Sequence, residues 1–288
     1  MTRWAFRFRP SERPKALCAG NICQVWGIDE LLYQQNAICK SSSHLARSIA
    51  RSGVDWVLVD TEHGNLDDAA MHEAVQAIAG CSVSPVVRIP ACEGWMFKRA
   101  LDAGAHGIMV PLISSADDAR TAVKYSKFPP RGIRGFGSPF PMGAFGISST
   151  VDYLEQANDS LVTIVQIETK EALENVDEIA AVDGIDVLYV GPFDLGNSIG
   201  HPITSDTLHP NLHAAIEKVY NAAAAAGKRA GIYCVDGDQA HMFSQKGFHM
   251  LSVSSDMGAL GTYMSQSLRK AKGDAESVIQ VSTGPYGS

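Results

Sequence analysis

The sequence predicts a closed (β/α)8 barrel, the TIM-barrel fold, with an atypical first strand. Short apolar, β-rich runs alternate with Ala-, Glu- and Lys-rich helical stretches, which means a parallel sheet covered by helices. About eight such units fit into roughly 250 residues, the size of that barrel. A doubly wound open sheet is the alternative.

Seven strands are plain: 55–59 (DWVLV), 85–89 (PVVRI), 107–110 (GIMV), 161–167 (LVTIVQI), 186–190 (DVLYV), 230–233 (AGIY) and 249–253 (HMLSV). An eighth must precede the first helix, and NAICK at 36–40 is the candidate. Helices are expected at 43–52, 67–79, 93–103, 116–125, 170–181, 210–226, 237–246 and 257–271. Gly53, Gly104, Gly184 and Gly247 each precede a strand, as helix C-caps and αβ turns do. The Pro- and Gly-rich segment 126–150 reads as a long loop inside the fourth unit. Residues 1–35 form an N-terminal extension, 36–272 the barrel and 273–288 a polar tail.

The 288 residues carry a net charge of −7, and 45% of them are hydrophobic. The acidic balance argues against nucleic acid and anionic membrane surfaces as partners. No apolar run has the length of a membrane span. The six cysteines form no C-x-x-C pair and show no zinc spacing, so reduced thiols and a cytoplasmic location are expected. The first fifteen residues hold Arg3, Arg7, Arg9, Arg13 and Lys15 against one acid. They read as a basic tail interrupted by Pro10 and Pro14, with an organelle-targeting segment as the alternative.

Chemistry in a parallel α/β fold collects at the carboxyl ends of the strands. There the chain places Asp60, Glu62 and His63 after one strand and Arg88 on the next. Gln166 and Glu168 follow on a third, and Asp194 lies after Gly191-Pro192-Phe193 on a fourth. Side chains at i and i+2 share a strand face, so Gln166 and Glu168 point the same way, as do Asp60 and Glu62 if that strand stays extended. Charges in a barrel mouth are costly unless paired or bound to metal. Glu168 and Asp194 offer hard oxygen ligands with no Cys/His set beside them, which favours Mg²⁺, or Mn²⁺ and Co²⁺, over structural zinc. A 2-oxo acid chelates such an ion, which then stabilises an enolate; Arg88 adds a second positive contact, and His63 is the proton carrier at the rim.

Several segments in order, GVDWVLVDTEHG (53–64), VVRIP (86–90), RALDAGAHGIMVPLISSADDA (99–119), FPPRGIRGFG (128–137), VQIET (165–169) and GIDVLYVGPFDLGNSIGH (184–201), resemble the HpcH/HpaI aldolase family. The combination of DTEHG, QIET and GPFDL carries the resemblance. It implies a metal-dependent pyruvate aldolase with Glu168 and Asp194 as metal ligands and Arg88 on the keto or enolate oxygen. It further implies His63 as acid/base, Asp60 as the residue that orients it, and Gln166 as a hydrogen-bond partner of substrate or ligand water. The N–H groups near Phe193 and Asp194 would receive the substrate carboxylate. Asp102 is implied in support of a neighbouring subunit's site, within a homo-oligomer, commonly a hexamer that exchanges a C-terminal helix. The family's first strand is Gly- and Trp-containing; QQNAICKSSSHLARSIARSG stands in its place, which puts barrel closure in question.

Each residue also has a plainer reading. His63 can be a core histidine satisfied by Asp60, Glu168 a helix N-terminal charge, Asp194 an N-cap and Arg88 an ordinary ion-pair partner. The segment RGIRGFGSP lacks phosphate-loop spacing and reads as a loop bordering the site, with Arg134 a contact for an anionic substrate. The expected activity is cleavage of a 4-hydroxy-2-oxo acid to pyruvate and an aldehyde. Alternatives are oxaloacetate decarboxylation or macrophomate synthase-like enolate chemistry on the same site, an acyl-CoA lyase, and an inactive organic-acid-binding barrel.

Overall fold

The structure, a computed structural model, describes residues 34–39, 42–205 and 207–273. The basic N-terminal segment and the polar C-terminal tail lie outside the described residues. Parallel strands follow one another around a closed barrel in sequence order: β1 (Gln34–Cys39), β2 (Trp56–Asp60), β3 (Ser84–Arg88), β4 (Gly107–Val110), β5 (Val162–Ile167), β6 (Val187–Val190), β7 (Arg229–Ile232) and β8 (Met250–Ser255). Closure is made by β1, which pairs with β2 from Asn36↔Trp56 to Cys39↔Val59 and with β8 from Gln34↔Met250 to Ile38↔Ser255. NAICK is therefore a true first strand, although the β1–β8 register slips between Asn36 and Ala37.

The helices of the outer layer are α1 (Ser43–Ala50), α2 (Asp68–Ala79), α3 (Gly94–Asp102), α4 (Ala116–Ser126), α5 (Phe140–Ala144), α6 (Thr150–Ser160), α7 (Lys170–Glu174), α8 (Val176–Ala180), α9 (Pro192–Ser198), α10 (Pro210–Ala225), α11 (Gly237–Gln245) and α12 (Asp256–Lys272). Many start on a side chain that accepts an otherwise orphaned N–H: Ser42, Asp67, Ser149, Thr169, Asp236 and Ser255. Ser115 and Asp118 form a full capping box on α4. The turn glycines behave as expected. Gly184 takes φ +90, and a Cβ there would lie 2.6 Å from Val123 Cγ1. No helix among the described residues is long and apolar enough to cross a membrane.

Two expectations need correction. The predicted helix 170–181 is broken at Asn175 into α7 and α8; the Asn175 side chain leaves to donate to the Ser114 carbonyl at 2.9 Å. The segment 126–150 is not all loop, since α5 lies inside it and α6 begins at its end. In α6 only Tyr153 and Ala157 are buried, so its apolar stripe is one i, i+4 pair and carries almost no periodic signal.

Strand alternation builds two cores. On β2, Val57 and Val59 face the helices, while Trp56 and Leu58 face the barrel interior with Val86, Met109, Ile164, Tyr189 and Met250. Every residue of β2 is buried because both of its faces are covered. Continuing the inward parity toward the carboxyl end leads from Leu58 to Asp60, from Val86 to Arg88, and from Ile164 to Gln166.

Candidate active site

Asp60 and Arg88 are directly opposite each other in the β2–β3 register, on the inner face. Arg88 donates to Asp60 through two prongs, Nε to Oδ1 at 2.9 Å and Nη2 to Oδ2 at 2.7 Å. Asp60 is completely buried, and this bidentate partner together with two main-chain donors offsets the cost of its charge there. Those donors are the N–H groups of Glu62 and His63, each 3.2 Å from Oδ1. Asp60 thus contacts His63 at the loop backbone and aims Arg88 with both carboxylate oxygens. It therefore holds both the loop that carries His63 and the guanidinium of Arg88.

The third prong of Arg88, Nη1, donates to Gln166 Oε1 at 3.3 Å. Gln166 in turn donates from Nε2 to Glu168 Oε2. The amide has one workable orientation here, because a guanidinium only donates and an ionised carboxylate only accepts. Glu168 Oε1 accepts the main-chain N–H of Leu112 at 2.8 Å. One chain of hydrogen bonds therefore runs Asp60–Arg88–Gln166–Glu168–Leu112 across β2, β3, β5 and the loop after β4.

This chain borders a cavity of about 490 Å³, mouth included, at the carboxyl end of the barrel. Arg88, Gln166, Glu168, Gly191, Pro192, Phe193 and Asp194 line it above, and Ile38, Leu58, Met109, Tyr189 and Tyr233 line it below and beside. The separation of Glu168 and Asp194 in sequence is thus erased by the fold, and both face the same space. Phe193 stands edge-on to Tyr233 with ring centroids 6.0 Å apart. His63 is on the β2–α2 loop at the rim, with a side chain 43% exposed and Nε2 3.7 Å from Glu62 Oε2.

The electrostatics are lopsided. Burial raises the pKa of Glu168, reinforced by the charge of Asp194 and opposed by Leu112, Gln166 and Arg88. Burial pushes Glu62 up to about 7 against the pull of Arg88, with Glu168, Asp60 and Asp194 adding to the rise. Glu62 Oε2 is a buried oxygen with no hydrogen-bond partner, 3.2 Å from an Arg88 Nε already committed to Asp60. A second positive charge would balance this basin, which fits a hard divalent cation on Glu168 and Asp194. Room for it is preserved at Gly191, where a Cβ would come within 2.7 Å of Glu168 Oε2. Among the described residues no three His, Cys, Asp or Glu side chains gather into an ion cage. A pair of carboxylates with coordination positions left for water and substrate matches the way Mg²⁺ is usually held.

Several residues had no assigned role in the sequence reading. Glu62 lies past the end of β2, in the turn whose N–H groups fold back on Asp60, so strand parity does not place it. Tyr189 and Tyr233 stand within the expected strands 186–190 and 230–233, and closure of the barrel brings both to the cavity. Arg134 moves the other way: its guanidinium is buried, lies 4.4 Å from the Phe128 ring centre, and donates to Leu101 O and Tyr153 Oη, both at 3.1 Å. It ties α6 to α3 and is not among the cavity's lining residues.

A closed parallel barrel with a guanidinium, an amide and acidic side chains converging at its carboxyl end defines a (β/α)8-barrel enzyme site. Comparison with known proteins gives the class its family. The profile of the HpcH/HpaI aldolase/citrate lyase family matches residues 38–261. A hydroxypyruvate/pyruvate aldolase of Paraburkholderia phytofirmans is 38% identical over 222 residues, covering 75% of this chain and 84% of the relative. A 5-keto-4-deoxy-D-glucarate aldolase of Shigella boydii is 35% identical over 207 residues, 72% of this chain and 79% of the relative. The crystal structure of a HpcH/HpaI aldolase/citrate lyase family protein from Burkholderia cenocepacia superposes with a TM-score of 0.78 at 35% identity, covering 85% of this chain and 96% of that one. The chain belongs to the HpcH/HpaI aldolase/citrate lyase family, and it is a carbon–carbon lyase.

Proposed function

We propose that the protein is a divalent-metal-dependent lyase that reversibly cleaves a 4-hydroxy-2-oxo acid to pyruvate and an aldehyde. The observation that carries this reading is the hydrogen-bonded chain from Asp60 to Glu168, which holds Arg88 and Glu168 at one small cavity that Asp194 also lines. The names of the aldolase relatives support the substrate class.

In this reading the substrate carboxylate is received by the free N–H groups at Phe193 and Asp194, where α9 begins. Arg88, fixed on three sides, donates to the keto oxygen and holds the enolate charge that develops as the C3–C4 bond breaks. Glu168 and Asp194 would hold the divalent cation, which would supply Lewis-acid polarisation of the substrate's keto group. His63 takes the proton from the C4 hydroxyl and returns one to the methylene carbon of the enolate. Gln166 keeps Arg88 and Glu168 in register.

The test is pyruvate release from several 4-hydroxy-2-oxo acids and from oxaloacetate, with EDTA and after return of Mg²⁺, Mn²⁺ or Co²⁺. Cleavage of the hydroxy-oxo acids, stopped by chelation and restored by metal, is expected. Undiminished turnover in EDTA refutes the metal reading. Release from oxaloacetate alone makes the enzyme a decarboxylase, and no turnover of any substrate makes it an organic-acid-binding barrel.

We further infer a homo-oligomer. Met257, Leu260, Met264 and Leu268 fall on one face of α12 and are each more than half exposed, while Asp256 is the buried residue of that helix. A stripe of this kind suits a second copy of the chain, as the family's helix exchange implies. The doubly substituted Leu260→Lys, Met264→Lys protein is expected to sediment as a smaller species than the native protein. A native protein that sediments as a monomer refutes the assembly.

A further inference from the structure

Leu112 is conformationally out of place. It has φ +54, a left-handed backbone that a branched apolar side chain adopts at a cost, and its side chain is 61% exposed. Burial therefore does not hold it there. The other such residue among those described, Ser82, lies in the turn that follows α2, where its N–H bonds the Ala79 carbonyl and the chain reverses from the helix end. Leu112 follows a strand, so helix termination does not account for it.

What the conformation does achieve is at the main chain. The angle φ turns the 111–112 peptide about the N–Cα bond of residue 112, and the N–H so aimed meets Glu168 Oε1 at 2.8 Å. The same loop is tied to the segment after Glu168 at two more points. Ser114 Oγ lies 3.2 Å from Thr169 Oγ1, and Asn175 Nδ2 donates to Ser114 O. These ties hold the loop after β4 against the loop after β5. With Gln166 on the other carboxylate oxygen and Gly191 leaving it space, Glu168 is fixed in rotation before any ligand arrives.

We propose that Leu112 is a positioning residue for Glu168: its left-handed backbone, not its side chain, sets the carboxylate in the orientation that receives the divalent cation. The inference rests on the metal site of the proposed function. It places a strained residue where strain is commonly kept, beside a ligand.

The test is Mn²⁺ affinity, measured by calorimetry on the native protein and on Leu112→Gly, Leu112→Asn, Leu112→Val and Glu168→Gln, with thermal melting as the fold control. Glycine and asparagine tolerate the left-handed backbone and retain the N–H, so both variants are expected to bind Mn²⁺ within about threefold of native. Valine resists that conformation, so Leu112→Val is expected to bind about tenfold more weakly while melting cooperatively. Native affinity in Leu112→Val overturns the positioning role. If Leu112→Val does not fold, Leu112→Gly decides: a tenfold loss there assigns the effect to the leucine side chain and overturns the proposal. Failure of the underlying reading looks different, because then the native protein binds no Mn²⁺ or Glu168→Gln binds it equally well.

Discussion

Glu168→Gln is expected to abolish divalent-cation binding and to lower turnover by at least about 10²-fold, since a Lewis acid contributes several kcal/mol to an enolate-forming step. The metal-free variant is expected to melt close to the native temperature. The reason begins with the cost of the native group. Glu168 is 3% exposed, and burial with the charge of Asp194 raises its pKa. A carboxyl whose pKa is raised on folding is less stable as an anion in the fold than in the unfolded chain. Above its ordinary value it therefore subtracts from stability, and a neutral amide escapes that cost. Against that gain, glutamine has one oxygen to accept from Leu112 or Gln166 and turns its N–H groups toward the other donor. Calorimetric melting in EDTA, paired with steady-state rates in Mn²⁺, checks both halves. Loss of stability together with activity would make Glu168 a structural residue, and full activity would remove it from the site.

Much of this site was legible from strand parity. Once β5 is placed, Gln166 and Glu168 must point inward because Ile164 does, and the same counting carries Leu58 to Asp60 and Val86 to Arg88. Parity says which way a side chain points but not what it meets. Asp60 was expected to serve the nearby His63, and it does accept that residue's main-chain N–H, but parity gave no sign that the strand register also puts Arg88 directly across from it. Leu112 could not have been found, because its contribution is a main-chain N–H that any residue other than proline possesses. The fold shows the same division. Strands with continuous apolar runs were visible, and so were helices with several buried positions. In α6 the anchor is mostly Tyr153, which is packed by Phe128, Arg134 and Phe145 of the irregular segment before it, where no periodic pattern announces the contact. Closure by β1 was the weakest inference, since its evidence is pairing with β8 at the opposite end of the sequence.

Arg88→Ala is expected to be the most damaging substitution for catalysis that spares the acidic pair. Loss of a preorganised donor to a developing oxyanion costs about 10²–10³-fold in kcat. It also strands Asp60, which is fully buried and whose two-pronged partner is gone. Breaking a buried pair on one side costs about 3–5 kcal/mol, so the single variant is expected to melt well below native. The two effects separate in the double variant. With Asp60→Ala added, no uncompensated charge remains at that position, and much of the stability is expected to return while kcat stays low. Arg88→Lys isolates geometry from charge. One ammonium cannot span Asp60 and Gln166 as the guanidinium does, so charge alone is expected to restore only a small part of the rate. Recovery of kcat in the stabilised double variant would mean that Arg88 matters for folding alone, and the enolate would need another donor.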